Sequence, residues 1–130
     1  MLNKVNKFMK KQTMTRKDNL DFTLKRRLRF RINGKIRAGE LVIGNLRKVT
    51  TRAKADAWAC SWSLSETDPK PRDIYGEDAL SALVNCLVFV NSYVQNEAET
   101  GIEIWWIEKG DNAGLKWAFV EDGKGATSDN

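Results

Sequence analysis

The chain of 130 residues contains no histidine. A Cys/His zinc site, a histidine general base and a Ser-His-Asp triad are therefore all excluded. It has two cysteines, Cys60 and Cys86, without metal-ligand spacing. Both fall inside expected regular elements; a disulfide between them is open in principle, but buried free thiols are the ordinary state in a cytosolic protein. Its two prolines, Pro69 and Pro71, sit in one short stretch, so residues 66–72 read as a loop. Long apolar runs are missing as well. The most apolar stretch, 76–96, is too short and too interrupted by asparagine to span a bilayer. Lys4, Lys7, Lys10 and Lys11 have no apolar run behind them, so the expectation is no signal peptide and a cytoplasmic protein. There are no internal repeats.

Chemical motifs are equally scarce. The carboxylates Glu77, Asp78, Glu97, Glu99, Glu103, Glu108, Asp111 and Glu121 include no pair with a spacing diagnostic of acid–base work or metal binding. Gly110-Asp111-Asn112-Ala113-Gly114 has two glycines but no Lys-Ser/Thr after them, so it reads as a hairpin turn and not a phosphate-binding loop. The expectation is a protein that is not an enzyme, with no catalytic residue, no metal and no cofactor.

What is present begins with charge. The net charge of +5 is unevenly placed. Residues 1–57 hold 17 basic and 4 acidic side chains, and residues 58–130 hold 5 basic and 13 acidic ones. Such asymmetry points to an electrostatic partner for the N-terminal half, or to pairing between the halves.

The length suits one domain with a real core. Residues 1–19 are basic, with Leu2, Val5, Phe8 and Met9 scattered among the lysines, and read as a mobile arm with a short helical turn. The domain is expected over 20–120, followed by a disordered tail at 121–130. Residues 22–32 alternate cleanly: Phe22, Leu24, Leu28, Phe30 and Ile32 point one way, Thr23, Lys25, Arg27, Arg29 and Arg31 the other, and Arg26 breaks the apolar row. Asn33-Gly34 predicts a two-residue hairpin turn into a return strand at 35–43, ended by Gly44. Residues 45–57 show no clean period and read as a loop. Trp58, Cys60, Trp62 and Leu64 share one face of a third strand. The stretch 76–96 predicts a helix that buries Leu80, Leu83, Leu87 and Val90 against Leu24, Leu28, Phe30, Trp62 and Ile104, with Asp78 in its first turn. Strands at 102–107 and 115–120, the latter with Trp117 and Phe119, complete the order β-β-β-α-β-β. The fold expected is α+β: an antiparallel sheet of about five strands with one long helix across one face.

Trp58-x-Cys60-x-Trp62-x-Leu64, a proline-containing loop and then Ile74-x-Gly76-x-Asp78-Ala79-Leu80-x-Ala82-Leu83 resemble a family of short bacterial proteins of unknown function. The likeness extends loosely over residues 22–115 and carries no catalytic residues with it. In size and type alone, the chain is also similar to the small immunity proteins that bacteria encode beside secreted toxins.

Two groups of residues are candidates for binding. Lys25, Arg27, Arg29 and Arg31, with Arg37 nearby, form a basic row whose spacing of about 6–7 Å is close to that of phosphates along a nucleic-acid strand; the plain alternative is the solvated face of an amphipathic strand. Among five tryptophans, Trp105 and Trp106 are adjacent and must point to opposite faces, so one of them is expected at the surface as an interface anchor. Two functions follow as expectations. The first is a non-catalytic immunity protein that binds a cognate toxin. The second is a nucleic-acid-binding accessory protein that uses the basic half.

Overall fold

Alternation in residues 22–32 and the Asn33-Gly34 dipeptide produce the hairpin that founds the sheet. The computed structural model describes residues 19–116. Strand β1 runs Asn19–Ile32 and β2 runs Lys35–Thr50, paired antiparallel from Asn19↔Arg47 to Ile32↔Lys35 with one register shift between Leu20 and Thr23. Asn33 and Gly34 both adopt positive φ, 52° and 78°, which is the conformation that a tight two-residue hairpin demands. Strands β3 (Asp56–Leu64) and β4 (Asp68–Gly76), helix α1 (Ala79–Glu99) and the short β5 (Glu103–Trp105) follow. The sheet order is β4-β3-β2-β1-β5, antiparallel throughout. The fold is α+β: among the described residues, one helix lies across one face of a five-stranded sheet. No described helix is long and apolar enough to cross a membrane.

The described chain order is β-β-β-β-α-β and not the expected β-β-β-α-β-β, and three stretches differ from expectation. First, the proline stretch is not a loop. Pro69 and Pro71 lie within β4, the outer strand of the sheet, where a missing N–H need cost no ladder bond. Second, residues 45–57 are mostly strand. β2 continues to Thr50, and a bulge between Gly44 and Arg47 sets Asn45 and Leu46 against Cys60 alone. The extra residue advances the alternation by one, so Leu46 enters the core and Arg47 faces out. That phase change is what erases a clean period from the sequence. Third, the strand expected at 102–107 shrinks to three residues. Residues 115 and 116 are in a turn. The remainder of the expected strand at 117–120 lies outside the described residues, as do residues 1–18 of the arm expected at 1–19 and the tail at 121–130; Asn19, expected in the arm, begins β1.

Helix α1 begins three residues later than expected. Asp78 is its N-cap: the carboxylate accepts from the Ser81 N–H at 2.7 Å, and this bond holds the Asp78 carboxyl below its ordinary pKa. The buried face is Ala82, Cys86, Val90 and Val94, with Leu83 and Leu87 half-buried. Leu80 and Leu24, expected in the core, are 69% and 53% exposed. Apolar residues surround most of this helix, so amphipathicity alone leaves its rotation open. The small side chains decide it. A Cβ on Gly76 would run into the Ala82 backbone, so the end of β4 and the first turn of the helix meet without side chains between them.

The core centres on Phe30, Trp62, Leu64, Val90 and Val94. The Trp62 ring lies 5.1 Å from Tyr93 and 5.7 Å from Phe89 on the helix. Cys60 and Cys86 are free and fully buried. Their thiols share a hydrogen bond across the sheet–helix interface, which together with burial raises the pKa of Cys86.

Candidate partner-binding face

In an antiparallel pair, directly opposed residues share a face, so the register places each candidate. Lys25 is opposite Val42, Arg27 opposite Glu40, Arg29 opposite Ala38 and Arg31 opposite Ile36. These residues occupy the face of the sheet away from the helix. Lys25, Arg27 and Arg29 are exposed and have no ion pair with any described residue. Arg31 is half-buried and meets Glu103 of β5 at 3.7 Å. Arg37 does not join this row. It stands opposite Phe30, on the helix side of the hairpin, and pairs with Glu66 at 3.8 Å.

The adjacent tryptophans separate as alternation requires. Trp105 is opposite Arg29 and buried, 7% exposed, with the Lys109 ammonium 5.5 Å from its ring. Trp106 is the one at the surface, 44% exposed, on the side occupied by Arg26. The structure therefore brings Lys25, Arg27, Arg29 and Arg31 together in one line, with Trp105 beneath its edge, and sends Arg37 and Trp106 to the opposite side.

A second feature of the open face had no signal in the sequence. Because the bulge turns Arg47 outward, its guanidinium reaches Asp73 on β4 at 2.6 Å and the Ser61 hydroxyl on β3 at 3.2 Å, while Ser61 donates to Asp73 at 2.6 Å. Burial pushes the Asp73 carboxyl up, but the Ser61 and Arg47 hydrogen bonds and the Arg47 charge outweigh it and hold Asp73 below its ordinary value. A carboxylate so held is a poor base at neutral pH. The arrangement staples three strands together. Beside it lies a cavity of about 160 Å³. Thr23, Val42, Asn45, Ser61, Ser63 and Pro71 are among the residues lining it.

Asp111, expected in a simple hairpin turn, instead organises the loop after β5. It is 3% exposed. Its carboxylate accepts from the backbone N–H groups of Trp106, Ile107, Glu108 and Gly114 at 2.9–3.2 Å. Burial raises its pKa, and these four bonds more than offset that, leaving it below the ordinary carboxylate value. Asn112 of the same loop donates to Asn91 of the helix at 3.1 Å. Asp111 thus shapes a turn and offers no free lone pair for substrate or metal. Among the described residues there is no cluster of three or more His, Cys, Asp or Glu side chains able to hold a metal ion. No protein-family model, curated protein or solved structure matches this chain.

Proposed function

We propose that this chain is a non-catalytic binding protein that engages an acidic protein partner through the open face of its sheet, and that it serves as an immunity protein for a cognate toxin. The observation that carries this reading is the line of Lys25, Arg27 and Arg29, exposed on the uncovered face and without ion-pair partners among the described residues. Cations left unpaired in this way cost little in the free protein and are available to steer an acidic surface into contact. An inhibitor that works by occlusion needs complementary charge and shape and no reactive group. The size-and-type likeness to immunity proteins supports the same reading.

No exposed aromatic side chain stands among the four cations, since Trp105 is buried and Trp106 lies on the other face. Binding to single-stranded nucleic acid relies on such rings for stacking, so the geometry favours a protein partner. The test is co-purification with the product of the neighbouring gene, followed by association kinetics for Arg27→Glu and Arg29→Glu. Both variants should keep the wild-type melting temperature, associate about tenfold more slowly and lose most of their salt dependence. Unchanged association by the folded variants removes this face from the interface. Salt-sensitive binding to duplex DNA or RNA without any protein partner would replace the proposal with the nucleic-acid reading.

A further inference from the structure

Every register shift between the described strands falls beside the same cavity. β1 and β2 lose step between Leu20 and Thr23, β2 and β3 between Gly44 and Arg47, and β3 and β4 between Trp62 and Leu64. In the last of these, Ser63 alone stands against residues 69–71 of β4. Extra residues leave a ladder locally unpaired and bend the strand. Three such irregularities in adjacent pairs open the sheet at one place, and the cavity of about 160 Å³ beside the Arg47 staple lies there. Thr23, Gly44, Asn45, Ser63 and Pro71 line it, and each belongs to or borders a shift. Gly44 brings no side chain to the opening, and a Cβ at that position would strike the Phe22 backbone.

The lining indicates what fits there. No residue that lines the cavity is charged, and its exposed wall is mostly hydrocarbon. Arg47, which bonds the lining residue Ser61, is already paired with Asp73. A carboxylate or phosphate placed inside would lose water without gaining a free cation, so the cavity suits an apolar group. Its volume is close to the about 150 Å³ in which an apolar protein cavity holds a benzene ring, the size of a leucine or phenylalanine side chain. The free cation is at the rim. Lys25 is opposite Val42, which also lines the cavity, and two residues from Thr23 on the same face of β1. It is exposed and has no ion pair among the described residues. Trp105 is buried and Trp106 lies on the other side of the sheet, so neither can anchor a partner on this face. Interfaces draw most of their energy from a few side chains seated in pockets, and here the pocket is on this chain.

We infer that the cavity is a socket for one leucine- or phenylalanine-sized side chain of the partner, with acidic residues beside that anchor facing Lys25 and Arg27. The inference rests on the reading of the open face as the site of an acidic protein partner. It adds the apolar anchor that fixes where such a partner sits, since charge alone steers but does not set position.

The test uses four end-blocked pentapeptides as probes of the full chain at low salt. Each has leucine or serine at its centre, flanked on both sides by glutamates or by glutamines. Affinity is read by NMR titration, with the Val42 methyl and Ser63 amide signals reporting on the cavity. The acidic leucine peptide should bind about tenfold or more tighter than the acidic serine peptide and should shift both cavity signals. Ser63→Leu fills the opening and leaves the staple at Ser61 in place. It should melt at or above the wild-type temperature, remove the preference for leucine and leave the affinity for the acidic serine peptide unchanged. The peptide comparison on the wild-type chain needs no variant. Equal binding of the two acidic peptides, lost in Arg27→Glu, overturns the socket while the acidic-partner reading stands. Equal binding of the glutamate and glutamine leucine peptides overturns both, because the cavity would then take an apolar group whatever charge surrounds it. Signal shifts confined to α1 overturn the inference, as does the absence of binding by all four peptides at millimolar concentration.

Discussion

The guanidinium of Arg26 lies over the ring of Trp106, 3.8 Å from its centroid. Arg26 also donates to the Ala113 carbonyl at 3.1 Å. It is the one charged residue in the apolar row of β1, and its position accounts for the break: the side chain stays on the helix side and ties the loop after β5 to the strand. Arg26→Ala removes both contacts and should destabilise the domain by about 1–3 kcal/mol. Lysine keeps the charge but cannot cover the ring while reaching the carbonyl in the same way, so Arg26→Lys should recover only part. Thermal unfolding of the two variants checks this, and equal melting temperatures for Arg26→Ala and wild type would refute it.

Asp111 sets part of the acid stability. Its folded pKa is depressed, so it contributes stability that is fully present above the unfolded value of about 3.9 and is lost as pH falls through the lower folded value. Asp73 is shifted in the same direction and adds to the same window, with a smaller effect because it is partly exposed to solvent. Denaturant unfolding should therefore show stability flat from neutrality to about pH 5 and falling below it. Asp111→Ala leaves four backbone donors without their acceptor and should cost about 2 kcal/mol or more at neutral pH. It should also flatten the acid limb of the curve.

The bulge at Asn45 makes a sharper claim. Asn45 has φ 52°, a conformation open to asparagine and glycine. Asn45→Gly should change stability by less than about 1 kcal/mol. Deletion of Asn45 removes the extra residue and leaves Ile43, Gly44, Leu46 and Arg47 in plain alternation, so Leu46 stays in the core and Arg47 stays outward. The deletion variant should therefore keep a cooperative unfolding transition by circular dichroism; loss of that transition would show that the bulge itself, and not only the phase it sets, is needed for the fold.

Pro69 and Pro71 on β4 should act as guards against edge pairing. Replacing both with threonine gives the outer strand two more N–H donors. The double variant should remain folded and show concentration-dependent light scattering that wild type lacks. A monodisperse variant at the same concentrations would mean that the prolines do not protect this edge.

Much of this architecture was legible because it rests on local chemistry. The alternation of β1, the Asn33-Gly34 turn, the shared face of Cys60, Trp62 and Leu64, and the existence of a long helix each depend on neighbours within a few residues. So does the basic row, since Lys25, Arg27, Arg29 and Arg31 must share a face wherever β1 lies. What tertiary structure alone decided depends on contacts distant in the chain. β4 is a strand because its prolines fall where one side of the ladder is free, which cannot be known before the sheet order is. The rotation of α1 was set by the close approach of Gly76 to Ala82 and by the meeting of Cys86 with Cys60, not by the largest apolar residues. The separation of Arg37 from the basic row, the burial of Trp105 and the Arg47–Ser61–Asp73 staple all follow from register across three or more strands. A strand's period tells which residues share a face; only its pairing tells which face is covered.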